Sequence, residues 1–176
     1  KRYCQKSIMP ITKRPLLERP YRSCVGLMVF NKSGQVFCGQ RLDNKAEAWQ
    51  LPQGGIDNGE LPLEAGFREL KEETSIVNVE FVSEYPEWIY YDIPLPLADK
   101  LWEGKYRGQK QRWLLFHFLG DDKEININTK HPEFNDWIGL NPEHLPKKAI
   151  FFKKDVYEKI NKIFIPILNN FNATHT

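Results

Sequence analysis

Apolar residues recur along this chain with two different periods, and the periods predict which segments are strands and which are helices. Residues 21–30, Y-R-S-C-V-G-L-M-V-F, form a strand-like apolar run, and Asn31-Lys32-Ser33-Gly34 supplies the turn after it. Residues 35–41 return as a second strand anchored by Val36 and Phe37, so a hairpin is expected. Residues 77–85, 109–119 and 133–140 read as further strands, the second of these the clearest in the chain. Leu63, Phe67 and Leu70 fall at i, i+4 and i+7, which predicts a helix over about 62–74 with these three as its buried stripe. Asn141-Pro142-Glu143 reads as the cap and first turn of a short helix. Val156, Ile160, Ile163, Phe164 and Ile167 predict a last helix from about Lys154, interrupted near Pro166 and frayed from Asn169 on. Strands dominate, with one central and one terminal helix, which is an α+β pattern.

The central helix carries more than a stripe. Before it, Gly54-Gly55 and Asp57-Asn58-Gly59 offer the positive-φ freedom of turns. On it, Glu69, Glu72 and Glu73 share an arc of roughly 100°. Like charges at i,i+3 and i,i+4 repel unless something sits between them. Lys71 is expected on the other side of the helix, and Arg68 reaches only Glu72, at i+4. Glu60, on the approach turn, adds a further carboxylate. Several hard oxygen donors on one rigid face, uncompensated by cations, suit Mg²⁺ or Mn²⁺. The later stretch 86–108 is proline-broken and too irregular for a helix. A connection of that length is usually functional, and Trp88, Tyr90, Tyr91, Trp102 and Tyr106 argue against disorder.

Composition narrows the class. The chain has 176 residues, 41% of them hydrophobic, which is enough for one domain with a real core. A net charge of +2 is too small for the molecule as a whole to draw in nucleic acid, so any such affinity must come from local clusters. Cys4, Cys24 and Cys38 are odd in number and lack C-x-x-C spacing, which points to reduced thiols and a cytoplasmic protein. Cys24 and Cys38 fall in strands, as small buried hydrophobes do. No apolar run approaches the ~20 residues of a membrane span. Residues 1–20 carry Lys1, Arg2, Lys6, Lys13, Arg14 and Arg19 against Glu18 alone, and read as a basic flexible extension. His117, alternating within an apolar strand, reads as a satisfied core residue.

Gly54, five residues, Glu60, seven residues, then Arg68-Glu69-Leu70-Lys71-Glu72-Glu73 and Ser75-Ile76 resembles the Nudix box. Ser75 stands where that family usually has Gly, a change in the helix cap and in none of the ligands. Residues 49–57 (W-Q-L-P-Q-G-G-I-D), 108–113 (G-Q-K-Q-R-W) and 132–137 (P-E-F-N-D-W) narrow the likeness. They resemble the branch of bacterial RNA pyrophosphohydrolases and plant-type dinucleoside polyphosphate hydrolases. F-K-K-D-V-Y at 152–157 resembles the RNA pyrophosphohydrolase sub-branch.

The resemblance implies an α/β/α sandwich with a mixed sheet, occupying 21–168, with 169–176 as a frayed end. It implies metal ligation by Glu69, Glu72, Glu73 and Glu133, with Mg²⁺ as the ion and Mn²⁺ or Zn²⁺ as substitutes. Glu72, Glu69 and Glu133 are then the catalytic set, supported by Gly54, Gly55, Glu60 and Arg68. Arg22, Arg41, Tyr91, Phe152 and Lys153 fall at substrate-contacting positions, the two aromatics sandwiching a base near the 5′ end. Lys110, Arg112, Lys147, Lys148 and Lys154 add charge in neighbouring segments. The implied reaction removes pyrophosphate from 5′-triphosphorylated RNA and leaves a 5′-monophosphate. Dinucleoside polyphosphates such as diadenosine tetra- or pentaphosphate are the alternative substrates. A non-catalytic binding module on the same fold would be marked by lost box glutamates, and all of them are present.

Overall fold

In the computed structural model, which describes residues 14–43 and 48–175, the apolar alternation resolves into a mixed sheet with helices on both faces. In chain order the described elements are β1 (Tyr21–Phe30), β2 (Val36–Arg41), β3 (Trp49–Gln50), β4 (Gln53–Gly55) and α1 (Pro62–Thr74). They continue with β5 (Val79–Glu84), β6 (Ile89–Asp92), α2 (Leu97–Lys100), β7 (Gly108–Phe118), β8 (Phe134–Leu140), α3 (Leu145–Lys148) and α4 (Lys154–Thr174).

The centre is β1 lying parallel to β7, from Tyr21 opposite Gly108 to Phe30 opposite His117. The expected hairpin is real for one pair only, Phe30 opposite Val36. Beyond it β1 turns to β4, with Cys24 opposite Gly55, and β2 turns to β8. β1 is buried on both faces, so its backbone groups need partners along its whole length. Short β2 cannot supply them. The turn itself is as expected, with Asn31 Oδ1 accepting from the Ser33 and Gln35 amides at 3.0 and 3.1 Å.

Alternate residues of the central strands feed two cores. Met28, Phe30, Trp113 and Leu115 pack against Tyr157, Ile160, Phe164 and Leu168 of α4. Val25, Leu27, Leu114 and Phe116 face Ala65 and Leu70 of α1. The layers are therefore helix, sheet, helix. The α1 stripe differs from expectation: Leu63 and Phe67 are 36% and 41% exposed, and the buried face is Ala65, Gly66, Leu70, Glu73 and Thr74. Small residues win this face because the helix lies close on the sheet; a Cβ at Gly66 would meet Leu114 Cδ1 at 2.7 Å. Phe67 sits at the margin, edge-on to Phe116 at 5.2 Å.

Other expectations are corrected too. α4 runs through Pro166 to Thr174 without interruption or a frayed end. Pro166 is exposed, and so is Lys162, whose carbonyl loses its helical donor, so the missing bond falls on the solvent side of the helix. The last turns are held by Phe171 edge-on to Phe30 at 5.5 Å and by Asn172 Nδ2 donating to Asn31 O at 3.1 Å. At the other end, residues 1–13, including Cys4, lie outside the described residues. Residues 14–20 are docked: Leu16–Glu18 form a 3-10 turn and buried Arg19 pairs with Asp99 at 2.6 Å. The stretch 86–108 contains β6, α2 and a 3-10 turn at Leu101–Gly104, with β6 antiparallel to β7. His117 packs between Phe30 and Phe171 at 5.0 and 4.7 Å, yet its Nδ1 has no hydrogen-bond partner among the described residues. Burial lowers its pKa accordingly.

The Trp113 indole lies on the bare backbone of Gly26, where a Cβ would meet Cε2 at 2.5 Å, and Nε1 is tied to Gln111 Oε1 at 3.0 Å. The ring cannot retreat. Gly26→Ala is expected to destabilise the protein by about 2–3 kcal/mol, seen as a lower urea midpoint at unchanged slope. A shift within about 0.5 kcal/mol of zero would mean the core yields there.

Candidate active site

One guanidinium organises the acidic end of α1. Arg68 Nε and Nη2 donate to the two oxygens of Glu60 at 2.8 Å each, and Nη2 also donates to the Gly55 carbonyl at 2.8 Å. Nη1 donates to Glu69 Oε1 at 2.9 Å and Glu72 Oε2 at 3.2 Å. Arg68 thus reaches far more than Glu72, because the turn before the helix folds Glu60 back over it. The ion pair, with the Asp57 amide donating to Glu60 Oε1 at 3.0 Å, holds the Glu60 carboxyl down to about 2. Both oxygens of Glu60 are thus already taken by Arg68.

Gly54 and Gly55 also have a different reason from the one expected. Within this turn the positive φ is at Gly59 (φ 79), while Gly54 and Gly55 belong to strand β4. A Cβ on Gly54 would collide with the Glu69 carboxylate, and one on Gly55 with the Arg22 guanidinium. They are clearance residues. Ser75 takes the left-handed cap (φ 65) expected of a Gly, with its Oγ donating to Asn126 O at 2.8 Å.

Arg68 leaves part of the acid uncompensated. Glu73 is 7% exposed, and its Oε2 has no hydrogen-bond partner among the described residues. Burial pushes its pKa well above the usual carboxylate range, and Glu69 and Glu133 push it further. Burial also raises Glu69 despite its bond to Arg68. Glu133 lies exposed just before β8. Glu69, Glu73 and Glu133 line both of the cavities that meet here. Among the described residues no three such carboxylates, or His or Cys, already surround one point as a finished cation cage. The donor set fits a hard divalent cation nonetheless: buried, mutually repelling carboxylates with an orphaned oxygen are stabilised by positive charge placed between them.

The two cavities differ in character. The first, of about 420 Å³, is lined by Arg22, Arg41, Trp49, Tyr91, Trp102, Phe152 and Lys153 beside the carboxylates. The second, of about 800 Å³, is lined by Arg68, Lys71, Glu72, Thr129, Lys130 and His131 and by no Phe, Tyr or Trp. Lys71, expected on the far side of α1, lines this second cavity. Every site residue expected from the sequence except Glu60 lines one cavity or the other. Lys110 and Arg112 line neither: they flank Trp88 at 4.9 and 5.4 Å, and Arg112 pairs with Glu84 at 2.8 Å.

Within the first cavity the expected groups are already engaged. Arg41 is bidentate on Asp43 at 2.9 and 2.8 Å. Lys153 is 5% exposed and donates to Gln50 Oε1 at 3.0 Å. Burial, and then Arg41, lowers its pKa to about 7. Tyr91 and Phe152 stack on each other, centroids 6.0 Å apart at 24°. A base between two rings needs planes about 7 Å apart, twice the ~3.4 Å stacking distance. Sequence reasoning missed the polar floor of this cavity. Tyr91 Oη donates to Gln109 Oε1 at 2.7 Å, and Gln111 Nε2 donates to Gln109 and Gln53 at 2.9 and 3.0 Å. Its signal was present: Gln109 and Gln111 fall at period two, on the face that Trp113 and Leu115 continue.

A three-layered sandwich that sets a carboxylate-bearing helix beside a glycine-cleared strand and an aromatic cavity is the architecture of a Nudix hydrolase. The NUDIX domain model matches residues 20–160, and the chain belongs to that family. It is 46% identical over 166 residues to the RNA pyrophosphohydrolase of Cereibacter sphaeroides, covering 93% of this chain and 99% of that protein. It is 49% identical over 152 residues to the RNA pyrophosphohydrolase of Wolbachia pipientis subsp. Culex pipiens, covering 86% and 93%. Among solved structures, the E. coli dihydroneopterin triphosphate pyrophosphohydrolase matches at a TM-score of 0.61 and 16% identity, covering 86% of this chain and 99% of that one. A C. elegans Ap4A hydrolase matches at 0.57 and 20%, covering 81% and 98%. At these identities the structures share the fold.

Glu73→Gln is expected to raise the stability of the metal-free protein by about 1–2 kcal/mol, because it removes a buried charge. The sign with pH follows from the raised pKa. Glu73 contributes its full stability below its unfolded value of about 4.3, and this is lost as pH rises through the higher folded value. Urea unfolding with chelator should therefore show the variant's advantage growing between pH 4 and pH 8. An advantage that shrinks over that range would contradict the burial argument.

Proposed function

We propose that this chain hydrolyses the phosphoanhydride of 5′-triphosphorylated RNA, releasing pyrophosphate and leaving a 5′-monophosphate. The observation that carries the reading is the carboxylate wall of Glu69, Glu73 and Glu133, which separates an aromatic cavity from an open one with a basic rim. Such a wall suits a substrate with a nucleoside at one end and bare phosphates at the other. The relatives named RNA pyrophosphohydrolase agree with it. Glu69, Glu72, Glu73 and Glu133 would hold the divalent cation, Mg²⁺ in the first instance. When bound, that cation supplies the positive charge that neutralises the phosphate chain and its departing end.

The chain's own residues do the rest. Tyr91 and Phe152 receive the first base, and the Gln53–Gln109–Gln111 amides keep Tyr91 in place. Arg22 and Lys153 face the phosphates. Glu72, 58% exposed at its side chain, and exposed Glu133 are the carboxylates open to a water and able to take its proton. The water oxygen attacks phosphorus, the P–O–P bond breaks, and the pyrophosphate leaves toward the second cavity. A dinucleoside polyphosphate would bring a second base to that cavity, where no Phe, Tyr or Trp can stack it. Among the described residues no helix is long and apolar enough to cross a membrane. A cytoplasmic site of action fits both the RNA substrate and the free, buried Cys24 and Cys38.

Initial rates with Mg²⁺ on a short 5′-triphosphorylated RNA and on diadenosine tetraphosphate test the reading. RNA should turn over faster, and Glu72→Gln should lower its kcat by roughly a hundredfold or more. The variant's stability should stay within about 0.5 kcal/mol of wild type, since Glu72 is a surface residue. A preference for the dinucleotide, or full activity in Glu72→Gln, would overturn it.

A further inference from the structure

Trp102 lines the first cavity beside Arg22 on an unusual backbone. Its φ and ψ are 49° and 38°, those of Glu103 are 58° and 27°, and Gly104 follows at φ 71°. L-residues with bulky side chains avoid this left-handed region, because Cβ crowds the following carbonyl. Two in succession persist only where their surroundings impose them. Here the imposing contacts lie on both sides. Upstream, Arg19 grips α2 through Asp99 and the Ala98 carbonyl, at 2.6 and 3.5 Å. Downstream, Arg107 is bidentate on Asp92 at 2.8 and 3.1 Å and donates to the Leu17 carbonyl at 3.1 Å. Tyr106 meets the Trp102 ring edge-to-face at 5.9 Å. The indole is thereby delivered to the cavity, where the Arg22 guanidinium carbon lies 5.0 Å from its ring centroid.

Arg22 stands apart from its neighbours. Arg19, Arg41, Arg68, Arg107 and Arg112 each have a carboxylate partner. Among the described residues Arg22 has none. It touches the Trp102 ring, donates to Cys24 Sγ at 3.3 Å, and fills the clearance left by Gly55. A guanidinium has five N–H donors, and a ring and a sulfur leave most of them free. A cation held by a π-face is fixed in place without being neutralised.

We infer that Trp102 is a positioning residue that holds Arg22 against Gly55, its donors free for the phosphate chain of the substrate. This rests on the reading of the cleft as a phosphoanhydride hydrolase. The base already has a surface in Tyr91 and Phe152, whereas the face of Trp102 is taken by Arg22. Its work is to pre-organise a charge.

A double-mutant cycle tests this, with kcat and KM for 5′-triphosphorylated RNA measured on wild type, Trp102→Ala, Arg22→Ala and the double variant. Trp102→Ala should lower kcat/KM about tenfold. In the Arg22→Ala background the same change should cost less than about twofold, since its effect runs through Arg22. Trp102→Phe, which keeps a π-face, should recover most of the activity, with thermal unfolding confirming that all variants are folded. Equal losses with and without Arg22, or no loss at all, would overturn the inference. If the wild type does not cleave this RNA, the functional reading fails by itself. Calorimetric binding of inorganic tripolyphosphate to the same four proteins then decides the Trp102–Arg22 coupling separately.

Discussion

The acidic cleft depends on Arg68. Its five hydrogen bonds gather Glu60, Glu69, Glu72 and the Gly55 carbonyl around one planar cation. That ties the helix to the strand before it and to the turn between them. Without this charge, carboxylates spaced three and four residues apart would push one another away and fray the helix. With it, Glu60, Glu69 and Glu72 share one cation. The Gly54 clearance follows from the same constraint, since the strand must come close enough for Arg68 to reach the Gly55 carbonyl, which brings the Glu69 carboxylate against Gly54.

Arg68 compensates Glu60, Glu69 and Glu72 and leaves Glu73 alone. Glu73 remains buried with an orphaned oxygen, facing the charges of Glu69 and Glu133. A fold selected only for stability would place an apolar residue there. Retaining the acid stores unfavourable electrostatic energy that positive charge can release, the usual trade between stability and function at a reactive site. The cations nearest the site are arranged to avoid quenching it. Arg41 is committed to Asp43, Lys153 is buried and its pKa lowered, and Arg22 is parked on an aromatic ring.

The scaffold explains why these groups meet. β1 and β7 run parallel through the centre, so Arg22 and Gln109 sit opposite each other at the same end of the sheet. β4 pairs with β1 at Cys24, which brings the glycine strand beside Arg22. β6 adds Tyr91 opposite Gln109 on the other side of β7. The cavity floor is thus a row of cross-strand neighbours, and the segment tied down by Arg19 and Arg107 closes its wall.

The sequence by itself determined the main elements and the acidic helix. Period-two and period-3.6 patterns located β1, β2, β5, β7, β8, α1 and α4, and the spacing of Glu60, Arg68, Glu69, Glu72 and Glu73 marked the acidic helix, because these are local properties of a single strand or helix. Tertiary structure decided whatever depends on distance between segments. It split the hairpin, turned α1 onto Ala65, Gly66 and Leu70, carried α4 past Pro166, and docked residues 14–20. It also separated acids that look alike in the sequence: Glu72 is exposed and Glu73 buried although they are adjacent, and Glu60 is bound to a cation eight residues on. Which face of a helix is buried, and which charge finds a partner, are set by what packs against it. Nothing in the local sequence of Arg22 or Trp102 records that one rests upon the other.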